Sequence, residues 1–440
     1  MTTGTVHRTI GDGRDRGGRS VRSRLVAQRY VIAAAVAVAI IAYLVLRFAT
    51  PFTASDLTVY QDEGAAVRHG TDLYGSLFGS SGHSRATYPP FAAVAFVPLS
   101  YLKPHAAVFL VLLANLALLL MAVRLSFRLA GREASKLEAA CAGLLMVGAE
   151  PVFTSLRYGQ INLLLLVLVL WDFAPGRRHR GVATGVAAGL KVTPLIFVGY
   201  LLLTGRRRAA VRAGLTFAGT VAAGALLLPH DTWRFWTNDL FHVERVGRLE
   251  NAVNQSVQGL LVRMDHSRST SGGERLFVLA IAVLGLTIAV RAYRRRGDAW
   301  ALPACAVAGL LGAPIAWSHH WVWCVPIAVV LWEQARRWMP AVAIFWTFAV
   351  WAVPHGNGLE LHLTPLQIAV SGWYVLFGAG FLVAVAAKPP RRGPSRPDRA
   401  LGGSETVRSG AVHPATPAMN TWPHPKPSPS GPRSPSSCRC

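Results

Sequence analysis

Few groups in this 440-residue chain can do chemistry, and they sit in short polar stretches between long apolar ones. The sharpest is Asp56, in Asp56-Leu57-Thr58-Val59-Tyr60, just past the first membrane-length apolar run. Acids at a bilayer boundary are costly and tend to be functional. As a general base, Asp56 would take the proton of a substrate hydroxyl; read alone, it is equally a helix cap or a solvated loop carboxylate. Asp62 and Glu63 are nearby, more exposed alternatives, and Asp72 fits a simple turn. Lys191 stands out in a chain that prefers arginine. An ammonium inside an apolar segment needs a polar cavity, where it could meet a phosphate, or else it snorkels to an interface. His319 and His320 are adjacent, hence about 100° apart on a helix, and do not share a face. A metal site is not expected there. One of them could donate to a phosphate or hydroxyl; the alternative is an aromatic belt with Trp317, Trp321 and Trp323. Asn254-Gln255-Ser256 matches a glycosylation sequon but reads better as small polar groups for sugar hydroxyls. Arg85, Arg157, Arg245 and Arg248 are candidates for an anionic head group, or plain solvated loop residues.

The elements that must carry these groups are membrane helices. The chain is 52% apolar and only 15% charged, and many apolar runs approach the ~20 residues that cross a bilayer. The expected fold is all-α, a polytopic transmembrane bundle. The net charge of +24 falls in short arginine clusters between apolar runs, which is the positive-inside pattern and not a nucleic-acid footprint. Cys141, Cys305 and Cys324 read as small packing residues, and no disulfide framework is implied.

Residues 1–28 and 388–440 are expected to be disordered cytoplasmic tails, around a membrane domain over residues 29–387. About ten spans are expected inside it: Tyr30–Phe48, His105–Leu129, Leu137–Leu156, Ile161–Phe173, Ala209–Leu228, Leu276–Ala292, Trp300–Leu311, one on each side of Arg336-Arg337, and Leu366–Ala387. Phe91–Leu102 is too short and proline-flanked to span, so it is expected to lie at the interface. Gly181–Thr204 has basic flanks on both sides, and Lys191-Val192-Thr193-Pro194 in its middle favours a broken helix or re-entrant hairpin. This arrangement gathers the polar stretches on the outer face. No phosphate-binding glycine loop, Asp-x-Asp pair or nucleophile elbow occurs, so nucleotide-driven chemistry is disfavoured.

Taken in order, Asp56-x-x-Val59-Tyr60, Thr87-Tyr88-Pro89-Pro90-Phe91, Gly159-Gln160-x-Asn162, Ala188-x-x-Lys191-x-Thr193-Pro194, Asn254-Gln255-Ser256 and Ser318-His319-His320 form a recognisable set. The set resembles the polyprenol-phosphate-mannose-dependent α-(1→2)-mannosyltransferases of actinobacteria, glycosyltransferase family 87, with the GT-C fold. The resemblance implies inverting, metal-independent transfer without a cofactor, from a lipid-phosphate sugar to a glycolipid or lipoglycan at the outer face of the plasma membrane. It puts the catalytic aspartate on Asp56 and an outer histidine on His319 or His320. Tyr60, Tyr88, Arg157, Gln160, Asn162, Lys191, Asn254, Gln255 and Ser256 are the other expected substrate contacts. The chemistry is consistent: nucleotide sugars are cytoplasmic, so an outward-facing enzyme needs a membrane-borne donor. A single displacement needs one base, and a phosphate leaves unprotonated if cations stabilise it. Transfer of another lipid-linked sugar, such as arabinofuranose, is the alternative within this class. A lipid-sugar flippase is the alternative outside it, and would call for paired broken helices.

Overall fold

The computed structural model describes residues 53–80, 82–176 and 178–387. The expected span Tyr30–Phe48 and both tails lie outside them. Helix α1 (Ser55–His69) leads into a two-stranded antiparallel hairpin, β1 (Leu77–Phe78) and β2 (Ser84–Arg85), in which Leu77 pairs with Arg85. Helix α2 (Pro90–Phe96) begins on a proline, where no backbone donor is lost, and runs into a 3₁₀ turn, Val97–Tyr101. These short elements cover one end of a helical bundle.

Three helices are long and apolar enough to cross a membrane: α3 (Pro104–Leu129), α9 (Arg207–Leu227) and α12 (Gly272–Arg296). The 26 residues of α3 extend about 39 Å, more than the ~30 Å hydrocarbon layer. Two bent pairs raise the number to five: α4 (Lys136–Val147) with α5 (Glu150–Tyr158), at 80°, and α16 (Pro365–Ser371) with α17 (Trp373–Ala387), at 65°. The described residues therefore show three to five such spans of the ten expected, one of which, Tyr30–Phe48, lies outside them. The expected span Leu137–Leu156 breaks at Gly148, ahead of Pro151, and Leu366–Ala387 breaks at Gly372. The run after Arg336 dissolves into α15 (Met339–Val342) and short 3₁₀ turns. Helices α6 (Asn162–Phe173), α13 (Asp298–Gly312) and α14 (Cys324–Gln334) have only 12, 15 and 11 residues. Hydropathy counts apolar residues and does not see such breaks. In membrane folds they persist where neighbouring protein satisfies the freed backbone groups.

Gly181–Thr204 is a broken helix: α7 (Val182–Leu190) and α8 (Leu195–Leu203), separated by extended backbone at Lys191. Its placement follows from three glycines four residues apart. A Cβ on Gly181, Gly185 or Gly189 would lie 2.1–2.5 Å from Ala209, Ala213 or Thr220 of α9. Without side chains the two helices pack at close range, as small-residue stripes allow in membranes. The hairpin of α12 and α13 uses the same device, with Gly285 against Ala308 and Gly312 against Ala282.

The two ends of the bundle differ. Before α3, Gln61 donates to the carbonyls of Leu99 and Leu102 and holds α1 in place. After α3, Arg132 pairs with Glu138 and Glu333, and Gln334 donates to the Ala130 carbonyl. The arginine-rich turns are therefore at one end, and α1 with its polar neighbours is at the other. Near the α1 end, α10 (Pro229–Thr237) and α11 (Val257–Met264) interrupt the long connection from α9 to α12.

Candidate active site

Asp56 lies in the first turn of α1, where the helix dipole and unpaired N–H groups favour a carboxylate. The entry is pinned from outside: Ala54 adopts a left-handed conformation (φ 44°), and its N–H donates to the Arg157 carbonyl at 3.0 Å. Helix α5 ends at Gly159, also left-handed (φ 71°), where a Cβ would lie 2.8 Å from that of Leu57. Only glycine gives both the conformation and the close approach. The next residue, Gln160, thereby faces α1.

Gln160 joins three elements. Its Nε2 donates to Asp56 Oδ2 at 2.6 Å, and its Oε1 accepts from the Tyr60 hydroxyl at 3.0 Å and the Tyr88 hydroxyl at 3.3 Å. The two phenols are 2.9 Å apart. Tyr74 donates to the Tyr88 carbonyl at 2.6 Å, which anchors Tyr88. Burial pushes the Asp56 carboxyl above the usual aspartate range; the Gln160 hydrogen bond and the Lys191 charge oppose the rise. Burial also holds Tyr60 and Tyr88 protonated. The half-buried Asp56 is thus a basic carboxylate with a fixed orientation.

Lys191 arrives from the break between α7 and α8. Its Nζ lies 2.9 Å from His320 Nε2 and 3.4 Å from Asn162 Oδ1, and 5.3 Å from the centre of the Tyr88 ring. Donation by the ammonium requires His320 Nε2 unprotonated. Asn162 Nδ2 and Ser155 Oγ both donate to the His319 carbonyl at 3.1 Å, which fixes the 3₁₀ turn Ser318–Trp323. The two imidazoles pack edge to face at 4.9 Å. Adjacency does not drive them apart here, and both line one cavity. Among the described residues, His319 Nε2 is buried without a hydrogen-bond partner.

That cavity is about 770 Å³ and is lined by Asp56, Tyr60, Tyr88, Gln160, Lys191, His319 and His320, with Arg85 and Arg245 near them. Residues from segments far apart in sequence are therefore brought together. Asn162 lines an adjoining cleft beside Lys191 and His320. Arg157 does not line the cavity, and its Nε is buried without a partner among the described residues. Asn254, Gln255 and Ser256 do not line it either, contrary to the expected sugar contacts, and are fully buried. Asn254 donates to the carbonyls of Leu249 and Pro314, and Gln255 donates to those of Ala252 and Ser371. Ser256 caps α11. Their polar atoms satisfy backbone, so they hold the loop that carries Trp317 and the histidines.

Two acids carry more of the structure than the sequence reading assigned. Glu63 is buried, not exposed, and neither carboxyl oxygen has a partner among the described residues. Burial, then the charges of Asp56 and Asp62, raise its carboxyl well above the usual glutamate range. Glu150 is fully buried at the bend between α4 and α5. It accepts from Ser318, Thr154, Trp351 and Tyr374, all within 2.9 Å. The bond to Ser318 ties it to the residue before His319. An acid beside a Gly-Ala-x-Pro interruption in an apolar stretch was the available signal. Asp62 and Asp72 serve the hairpin and the turn after α1: Asp62 accepts from the Gly79 N–H, and Asp72 accepts from Tyr74 and Gly75 and pairs with Arg234.

Helices of this length and apolarity, with reactive groups converging on one roomy cleft, define a membrane-integral enzyme. Comparison with known proteins narrows the class. The model of glycosyltransferase family 87 matches residues 86–317. A polyprenol-phosphate-mannose-dependent alpha-(1-2)-phosphatidylinositol mannoside mannosyltransferase of Mycobacterium tuberculosis is 34% identical over 305 residues, covering 63% of this chain and 69% of its own. A second protein of that organism, a polyprenol-phosphate-mannose-dependent alpha-(1-2)-phosphatidylinositol pentamannoside mannosyltransferase, is 32% identical over 339 residues, covering 75% and 78%. An alpha-(1->3)-arabinofuranosyltransferase of the same organism is 30% identical over 182 residues, covering 40% and 42%. No solved structure matches. The chain belongs to glycosyltransferase family 87.

Proposed function

We propose that this enzyme transfers mannose from a polyprenyl-phosphate donor to a phosphatidylinositol mannoside or related glycolipid, at the outer face of the plasma membrane, with both chain termini cytoplasmic. The names of the relatives support the donor and acceptor classes. The arginine-rich turns at the end of the bundle away from Asp56 support the sidedness. The observation that carries the mechanism is the shared cavity holding one orientable carboxylate, an ammonium and an unpartnered imidazole nitrogen.

The reaction is a single displacement. Asp56 takes the proton of the acceptor hydroxyl as that oxygen attacks the anomeric carbon of the donor mannose. The bond from that carbon to the phosphate oxygen breaks on the opposite side, so the configuration inverts. The electron pair stays on polyprenyl phosphate, and Lys191 stabilises the charge that develops there. His320 and Asn162 hold the ammonium in place. His319 Nε2 is the free nitrogen and donates to a substrate oxygen. Gln160 aims the Asp56 carboxylate and keeps it ionised.

The test uses membranes carrying the enzyme, radiolabelled polyprenyl-phosphate mannose and a phosphatidylinositol mannoside acceptor. Asp56→Asn keeps an acceptor for Gln160, so the protein should insert and bind donor while turnover falls by at least 10³-fold, within the range for removal of a general base. Turnover within tenfold of the parent sinks the role of Asp56. Arabinofuranose is the second reading, favoured by the partial match to the arabinofuranosyltransferase. Labelled product from polyprenyl-phosphate arabinose, and none from the mannose donor, would establish it.

A further inference from the structure

A second cavity, about 740 Å³, adjoins the first and shares Val243, Glu244, Gly247, Ala282, Gly312 and Pro314 with it. Its lining includes Arg248, Arg268 and Arg275, all exposed, and none has an ion-pair partner among the described residues. Among the described residues, Arg275 donates only to the Thr270 hydroxyl, at 3.4 Å. Three guanidiniums without an ion-pair partner among the described residues line one hollow beside Glu244 and Glu250, and planar guanidinium forks suit phosphate oxygens. The buried carboxyl of Glu250 also lines this hollow and supplies an acceptor for hydroxyl groups. One wall is α12, whose Val278 and Leu279 line the cavity while Leu276, Phe277 and Leu279 are exposed along its apolar surface. A lipid with its tails beside α12 can therefore bring its head group to the arginines.

We propose that this cavity is the acceptor's anchor subsite. Arg248, Arg268 and Arg275 hold the phosphodiester of an anionic lipid, Glu250 takes hydroxyls of its polyol, and the sugar chain reaches through the shared strip to Asp56. The assignment rests on the transfer reading above. The donor phosphate must sit against its own anomeric carbon, beside Lys191 in the first cavity. The arginines, across the shared strip, are placed for the acceptor's phosphate.

The experiment uses the purified full-length enzyme in mild detergent, with Arg248→Gln, Arg268→Gln and Arg275→Gln combined. Binding of phosphatidylinositol in mixed micelles, followed by thermophoresis, should weaken at least tenfold, and binding of a neutral galactosyl diacylglycerol should change less than twofold. In transfer assays, KM for a phosphatidylinositol mannoside should rise at least tenfold, with KM for the donor and for the phosphate-free acceptor octyl mannoside within twofold of the parent. Unchanged phosphatidylinositol binding overturns the proposal. A rise in donor KM with no rise for the lipid acceptor also overturns it, and reassigns the arginines to the donor phosphate. If the parent binds phosphatidylinositol through these arginines yet transfers no mannose, the subsite stands and the transfer reading falls. Should the triple variant fail to insert, Arg268→Gln is measured alone; a threefold loss of phosphatidylinositol affinity supports the subsite, and an unchanged affinity rejects it.

Discussion

Gln160→Leu isolates what the network around Asp56 does. Gln160 donates to the carboxylate at 2.6 Å and accepts from both phenols, so leucine removes this side-chain donor from Asp56 while filling similar space. A hydrogen bond to a charged group contributes about 1.5–3 kcal/mol. It is made to the ionised form, so its loss raises the carboxyl's pKa, by about 1–2 units at 1.36 kcal/mol per unit. Burial already holds Asp56 above the usual aspartate range. The base is active when ionised, so kcat/KM should rise with pH through the pKa of the free enzyme. In Gln160→Leu that acid limb should move about 1–2 units higher, and kcat/KM should recover at alkaline pH. Gln160→Glu adds a like charge beside Asp56 and should move the limb at least as far. The assay is the pH dependence of kcat/KM with radiolabelled donor at saturating acceptor. A limb that stays in place, or a loss equal at every pH, would refute the idea that Gln160 keeps the base ionised.

Three further outcomes are expected. Lys191→Met should lower single-turnover transfer by about 10²–10³-fold, as loss of one preorganised charge-stabilising donor does; an undiminished single-turnover rate would remove Lys191 from the leaving-group role. Glu150→Ala leaves four donors without their acceptor, three of them buried at about 1–3 kcal/mol each before relaxation, so thermal unfolding in detergent should come many degrees earlier. A shift of only a degree or two would mean that the bend does not need the acid. Glu63 titrates higher in the folded protein than unfolded, so the folded state holds a proton that the unfolded chain has lost. Its effect is absent below the ordinary glutamate pKa of about 4.3, and stability falls as pH climbs from there toward the raised value. Glu63→Gln should flatten that slope in Tm against pH, and an unchanged slope would count against a buried neutral acid.

Ordered motifs carried much of the site because each keeps a chemically costly residue in a greasy chain. Asp56, Gln160, Lys191 and the two histidines are spread over more than 260 residues, yet they line one cavity. Residue type alone does not separate contact from framework. Asn254, Gln255 and Ser256 offer the groups that would suit a sugar, and all three spend them on carbonyls and a helix cap. Glu63 was misplaced for lack of helical phase. Once Ser55–His69 is a helix, Glu63 is seven residues from Asp56 and shares its face, turned inward. The described residues hold fewer long apolar helices than the ten expected spans for a related reason, since Gly148 and Gly372 interrupt runs that hydropathy treats as continuous.

Those interruptions are where the polar groups enter. Lys191 sits between α7 and α8, Glu150 at the bend between α4 and α5, and His319 and His320 on a 3₁₀ turn between α13 and α14. A continuous span would present each of these side chains to lipid or to an apolar neighbour, at several kcal/mol for an ion. A break exposes backbone groups that need partners, and it draws polar side chains inward to supply them. Asn162 and Ser155 donate to the His319 carbonyl for this reason, and Glu150 gathers donors from four elements. The glycine stripe on α7 then fixes where its break falls, by letting α7 lie close against α9. The site in this chain therefore depends on helices that stop short as much as on helices that span. In such a sequence, a charged residue beside a glycine or proline inside an apolar run is the feature to weigh first.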